Sequence, residues 1–145
     1  MKTIALRFSD NIAPKDGTIS EHRKIIDHIG YVWYGKFGAK VSETVRNMIM
    51  SSENKRILLI HSGTIKRYWL YIDAISYTCP ERNAIPEYYR EIAESVKTWF
   101  KVIQIEDADR KVMAKCTVSS SGSPLSAVSR HSMSPYFIID YDERT

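Results

Sequence analysis

Cysteine is scarce in this chain: two residues in 145, Cys79 and Cys116, isolated from each other and in no C-x-x-C spacing. That excludes a disulfide framework and a cysteine-rich metal site, and two reduced thiols in a cytoplasmic protein is the plain expectation. Long apolar runs are also lacking. Ile57-Leu58-Leu59-Ile60 falls far short of the ~18–20 residues that a membrane span requires, so no membrane partner is expected. The N-terminus has no secretory h-region followed by a small-residue cleavage site, so export is not expected. Low-complexity sequence is confined to Ser119-Ser120-Ser121-Gly122-Ser123-Pro124, which is too short to divide domains. The expectation is one domain over residues 1–145, because two would each be too small for a good core.

The motifs of catalysis are missing as well. His22, His28, His61 and His131 fall in no H-E-x-x-H and no Cys/His metal spacing. His61-Ser62 and His131-Ser132 place serine one residue too early for the paired H-x-S/T of a two-histidine phosphoesterase. There is no Walker loop, no G-x-G-x-x-G and no G-x-S-x-G. Paired acids such as Glu106-Asp107 and Glu87/Glu91 read as turn and helix-surface charges. No catalytic residue, metal ligand or cofactor is assigned, and a binding module is expected rather than a free-standing enzyme.

What the chain does have is apolar and aromatic content: 43% hydrophobic and 11% aromatic, sufficient for a packed interior. Lys plus Arg number 21 against 17 acids, a net charge of +4. That excess reads equally as solubilising surface or as a polyanion-facing patch.

Along the chain, Thr3–Phe8 has strand character and runs into a turn-rich stretch, 9–17. Thr18 with Glu21 forms a capping box opening a helix through Ile25, Ile26 and Ile29 that stops at Gly30. Tyr31–Tyr34 reads as a strand ended by Gly35 and Gly38. Ser42 caps a helix with an apolar face of Val45, Met48 and Ile49. Arg56–His61 and Arg67–Tyr77 are strands joined through Ser62-Gly63-Thr64, and Leu70, Ile72 and Ala74 alternate with Trp69, Tyr71, Asp73 and Ile75. Thr78–Ala84 reads as a loop, and Pro86 opens a helix reaching Val96. Thr98–Ile105 is a long strand, with Lys111–Val118 expected to pair with it across a polar turn. A helical turn at Leu125–Ser129 and a strand at Pro135–Asp140 close the chain. Short helices between the strands of one mostly antiparallel, curled sheet imply an α+β class and a small barrel with peripheral helices.

Aromatic residues stand beside small polar ones at strand ends. Trp33 has two readings: a core residue, as strand tryptophans usually are, or a flat wall for a base turned out of its stack. Ser9, Asp10 and Asn11 follow the first strand and offer short polar groups for reading a base edge.

The order of these features resembles the EVE and YTH domains of the PUA-like superfamily, which recognise modified bases. Phe8-Ser9-Asp10 and Gly30-Tyr31-Val32-Trp33 are similar to the YTH opening strand and its Gly-Val-Trp strand, where the tryptophan walls an aromatic cage and the Asn/Asp contacts the base edge. Leu59-Ile60-His61-Ser62 resembles the EVE strand ending in His-Ser, and Asp73–Tyr77 with Pro80 resembles the EVE strand closing with Tyr. Arg130-His131-Ser132-Met133-Ser134-Pro135 is similar to a shortened EVE Arg-x-Leu-Ser-x-x-Pro element. In place of the usual EVE Arg-Asn this chain has Trp33-Tyr34. The second cage wall is left among Tyr77, Tyr88, Tyr89 and Trp69.

The resemblance implies a base pocket of Ser9, Asp10, Trp33, Tyr34, His61, Ser62, Trp69 and Tyr77. Lys36, Lys40, Lys66, Arg67, Arg130 and His131 would hold the nucleic-acid backbone. His61 reads otherwise as an ordinary strand-end histidine, and Arg130 with His131 as a solvated edge. The implied function is a reader of methylated DNA, in preference to RNA, serving as the specificity module of a McrB-type restriction system beside an AAA+ GTPase motor and a nuclease subunit. Methyl-adenine and modified cytosine both stay open. The alternative is a PUA/ASCH-like RNA-binding or RNA-processing protein, and a third reading is a protein-interaction module.

Overall fold

The computed structural model describes residues 1–131 and 136–143. Its strands are β1 (Lys2–Phe8), β2 (Val32–Lys36), β3 (Arg56–His61), β4 (Arg67–Ser76), β5 (Thr98–Ala108), β6 (Cys116–Val118) and β7 (Tyr136–Tyr141). Three helices accompany them: α1 (Thr18–Ile29), α2 (Glu43–Met50) and α3 (Leu125–His131). The strands form one mixed sheet in the order β2-β5-β4-β3-β1-β7-β6. β1 and β3 run parallel, and the other described pairs are antiparallel.

β1 lies inside the sheet between β3 and β7, so both its faces are covered. Ile4, Leu6 and Phe8 join the cluster under α1 and α2, with Val32, Tyr34, Val45, Ile49 and Leu70. Ala5 joins a second cluster on the other face, with Leu58, Trp69, Met113, Leu125 and Phe137. Burying a large aliphatic or aromatic side chain contributes about 1.5–3 kcal/mol, and two such clusters hold the sheet from both sides. A third cluster packs Trp33, Tyr89, Val96 and Trp99 beneath the 82–96 segment. No helix among the described residues is long and apolar enough to cross a membrane.

The sheet curls strongly. Lys36 on β2 and Tyr136 on β7, near opposite ends of the strand order, lie with Nζ 5.1 Å from the ring centroid. No ladder joins β2 to β7 or β6 among the described residues. The α+β class therefore stands, with side chains rather than hydrogen bonds spanning the gap that a closed barrel would bridge.

Several local expectations are corrected. Thr18 does not cap α1 but begins it: Gly17 is the N-cap, with φ +89°, and makes no side-chain cap. Asp10 takes the capping role from a distance, its Oδ1 accepting the Thr18 amide at 2.9 Å. Gly35 lies inside β2 instead of ending it, because a side chain there would collide with Trp99: an added Cβ would stand 2.9 Å from its Cζ3. The helix expected from Pro86 to Val96 is two 3-10 turns, Glu87–Tyr89 and Ala93–Ser95, interrupted where Ile92 leaves helical geometry at φ −111°, ψ 5°. The strand expected over Lys111–Val118 is a 3-10 turn at Val112–Lys115 followed by β6, which pairs with β7 and not with β5. The cause is Asp109, which accepts the backbone N–H groups of both Lys111 and Val112 and turns the chain. Irregular pairing between Tyr71 and Ala74 shifts the alternation of β4, so Ile75 joins Leu70 and Ile72 in the main core while Ala74 faces elsewhere. Ser42 caps α2 as expected, accepting the Val45 amide at 3.2 Å.

Candidate functional site

Because β1 and β3 are parallel and in register, their C-terminal residues Phe8 and His61 stand side by side. Their rings stack at 4.7 Å with planes 9° apart. The loops leaving both strands therefore open at one edge of the sheet, and Ser62 returns its N–H to the Phe8 carbonyl at 2.9 Å. Two adjoining cavities occupy this edge, with Phe8 and Thr18 lining both.

The larger cavity, of about 400 Å³, is lined by Phe8, Tyr34, Phe37 and Tyr89, with Ser9, Asn11, Thr18 and Lys36 as its main polar members. That size and mixture suits a small planar ligand. Tyr34 is buried, and burial pushes its phenol well above the ordinary tyrosine pKa. Its hydroxyl has no hydrogen-bond partner among the described residues. Phe37 is 46% exposed and Ile12 51% exposed, so two apolar side chains line the cavity while still meeting solvent.

Lys36 is only 4% exposed. Its ammonium donates to the carbonyls of Phe37 (3.1 Å) and Ala39 (2.6 Å), and burial lowers its pKa from the ordinary lysine value. Behind the cavity, His22 is fully buried against Tyr34 and Tyr89, at 5.3 and 5.7 Å between ring centroids. Burial depresses its pKa to about 4, so the ring is neutral, with Nδ1 donating to the Thr18 carbonyl at 2.7 Å. Nε2 is then an acceptor without a partner.

The smaller cavity, of about 250 Å³, is lined by Asp10, Arg23, His61, Lys66 and Tyr68 among others. Asp10 Oδ2 lies 3.1 Å from His61 Nε2. Partial burial acts to raise the Asp10 pKa, but the Thr18 amide and hydroxyl together with His61 bring it below the usual carboxylate value. The carboxylate thus has two fixed partners, one of them at the positive end of α1.

These cavities gather some of the expected residues and leave out others. Ser9, Tyr34 and Lys36 meet in the larger one; Asp10, His61 and Lys66 meet in the smaller. Trp33 faces the opposite side of β2 from Tyr34 and is buried in the third cluster, since alternate residues of a strand point to opposite faces. The expected tryptophan wall is therefore corrected: Trp33 does not line the cavity. Trp69 is likewise buried on the far face, under the Arg56 guanidinium at 4.1 Å and edge-on to Tyr141. Tyr77 lies outside the cavity, with Lys40 at 4.4 Å and Arg46 at 5.1 Å from its ring centroid. Ser62 is exposed and lines neither cavity.

Lys36, expected to hold backbone phosphate, points inward with Val32 and Tyr34. Lys40 is exposed, as expected of a rim residue. Arg67 and Arg130 line a separate cleft, and the His131 side chain lies outside the described residues. The reading from sequence missed Phe8, Phe37 and Tyr89 as cavity walls. The period-two pattern of β1 and β2, followed to the inner face, carries the signal for Phe8 and favours Tyr34 over Trp33; Tyr89 appeared only as one of four candidates for the second wall.

A family model described as Pua-like matches residues 4–143. No curated protein and no solved structure matches the chain. Domains of this family are generally nucleic-acid-binding modules. With the match running almost from end to end, the chain belongs to the Pua-like family.

Proposed function

We propose that this protein is an EVE/YTH-type reader that takes one modified base of DNA, turned out of its stack, into the cavity between β1, β2 and the 82–96 segment. The observation that carries this reading is the aromatic, mostly apolar cavity of about 400 Å³ with a few convergent polar groups at the protein's parallel strand ends. The roles differ from those the resemblance implies. Phe37 is the stacking wall, being both exposed and cavity-lining, and the unpartnered Tyr34 hydroxyl with Ser9 and Asn11 reads the edge of the base. Asp10 and His61 hold each other and the start of α1, which fixes the loop carrying Ser9 and Asn11. Residues 1–145 act as a single reading domain, and its place is the specificity module of a modification-dependent restriction system with a motor and a nuclease subunit.

Flipping a base costs a few kcal/mol, least where it is unpaired. Stacking on one aromatic wall returns about 1–3 kcal/mol, and burying one added methyl contributes about 0.8 kcal/mol, a preference of roughly fourfold. Fluorescence anisotropy with oligonucleotides carrying 5-methylcytosine, N6-methyladenine or no modification, as DNA and as RNA, tests this. A several-fold preference for one modified DNA is expected, and Phe37→Ala should abolish it while leaving the melting temperature nearly unchanged. Equal binding of all oligonucleotides, or degradation of the RNA in the parallel control, refutes the reading; degradation would favour the ASCH-like alternative.

A further inference from the structure

A third cleft, of about 320 Å³, lies away from the base cavity and is lined by Arg67, Arg110, Lys111, Met113, Ala114, Ser126, Ser129 and Arg130. Four cations and two hydroxyl-bearing residues converge there from the start of β4, the turn before Val112 and the helix α3, and no carboxylate lines it. None of the four cations enters an ion pair among the described residues. The nearby acids are engaged elsewhere. Asp107 pairs with Arg23 at 3.0 Å, and Asp109 accepts the Lys111 backbone N–H at 2.7 Å; both line a different cavity with Trp69 and Arg56.

Arg67 is held in place for a ligand. Its Nη1 donates to the Thr64 and Lys66 carbonyls at 2.9 and 2.8 Å, and its Nε lies 2.9 Å from the Met113 sulfur. A guanidinium carries five N–H donors, so the two on Nη2 remain without a partner among the described residues. Burial also lowers the Arg67 pKa, as expected for a cation partly removed from water with no counter-ion beside it. A tetrahedral oxyanion satisfies these donors, and arginine's fixed fork suits phosphate in particular.

The cleft is joined to the base cavity through one side chain. Arg7 lines that cavity, and its Nη1 donates to the carbonyl of Ser129, a cleft residue, at 2.8 Å. We infer that the cleft between Arg67, the Arg110–Lys111 turn and α3 binds a backbone phosphate of the same strand whose base enters the cavity. The strand then runs from the cavity mouth past Arg7 and over α3. This rests on the base-reading proposal for its strand, but the cleft's own chemistry is independent of which base is read.

The test is the full chain carrying Arg110→Ala, Lys111→Ala and Arg130→Ala together, three exposed residues whose loss leaves the core intact. Binding of a short single-stranded oligonucleotide with one modified base is followed as salt rises from about 50 to about 200 mM. Each phosphate contact to a single strand contributes about 0.7 to the slope of log K against log salt. The triple variant should therefore lose about 2 from that slope, which is roughly a hundredfold in affinity at about 0.1 M salt, with the ratio of modified to unmodified binding unchanged. An unchanged slope overturns the inference, even where base preference survives. Inorganic phosphate titrated into both proteins separates the sources: phosphate binding lost in the variant with no change in oligonucleotide slope makes this a site for free phosphate and overturns the strand placement. A slope that falls while no base preference exists in either protein leaves the cleft standing and removes the base reading instead.

Discussion

Trp33 and Tyr34 are neighbours in β2 that face opposite ways, and replacing each should give opposite outcomes. Trp33 is 8% exposed and packed with Tyr89, Val96 and Trp99, and its indole N–H is buried without a partner. Trp33→Ala removes the largest side chain in that cluster except Trp99 and leaves a cavity beneath two short 3-10 turns. Large-to-small changes of this kind cost about 3–5 kcal/mol. At about 3 °C per kcal/mol for a domain of this size, that is a fall of about 10–15 °C in melting temperature. Tyr34→Phe deletes one hydroxyl that bonds nothing among the described residues, so stability should change by no more than about 0.5 kcal/mol. Binding should respond in reverse. Tyr34→Phe weakens the preference for the modified oligonucleotide, while Trp33→Ala, assayed well below its melting point, keeps it. Differential scanning calorimetry beside anisotropy titrations measures both quantities. A Trp33→Ala protein that melts like the parent yet loses the preference would return Trp33 to the ligand wall and refute the face assignment.

His22 and Gly35 offer two further tests. The buried His22 has its pKa depressed to about 4 from 6.5, so its stabilising contribution is complete above pH 6.5 and is lost as pH falls toward 4; about 3 kcal/mol is at stake, and His22→Phe should flatten denaturant-derived stability across that window, whereas an unchanged slope would show that His22 is not the titrating group. Gly35→Ala puts a methyl 2.9 Å from Trp99 and 3.1 Å from Val96, so urea titration should show a loss of about 1–3 kcal/mol, and a neutral result would mean that the close approach of β2 to Trp99 is not required.

The periodic elements were legible because their patterns follow from local geometry. Arg56–His61 is bounded as expected, and Ser42, Gly30 and the alternating residues of β1 each declare a structural role through a side chain or its absence. Non-local pairing was not legible. Nothing in Lys111–Val118 says that the strand at its end prefers β7 to β5, because the deciding event is the Asp109 turn just before it. The same holds for Asp10. Its sequence neighbours suggested a base contact, yet its partners are Thr18, eight residues on, and His61, brought alongside only by the parallel pairing of β1 with β3. Trp33 was open to either reading as a residue type, and the period of two in β2 decides between them once Tyr34 is known to face the core.

The parallel pair explains why a site stands at this edge at all. Antiparallel neighbours send their connecting loops to alternate ends of a sheet, whereas parallel neighbours release both loops at the same end. In this sheet the loops after β1 and β3 leave together, carrying Ser9 to Thr18 on one side and Ser62 to Lys66 on the other. The curl of the sheet then brings Tyr34, Lys36 and Phe37 across from β2 to face them, close enough for Lys36 to reach the ring of Tyr136. The cavity walls therefore come from strands distant in the ladder and are held by side-chain packing. Loops at such an edge are free to differ in Ser9, Asn11 or Phe37 without disturbing the ladders behind them. Ligand preference in this chain is thus set by loop residues at the cavity, while Phe8, His61 and the Asp10 tether to α1 set its frame.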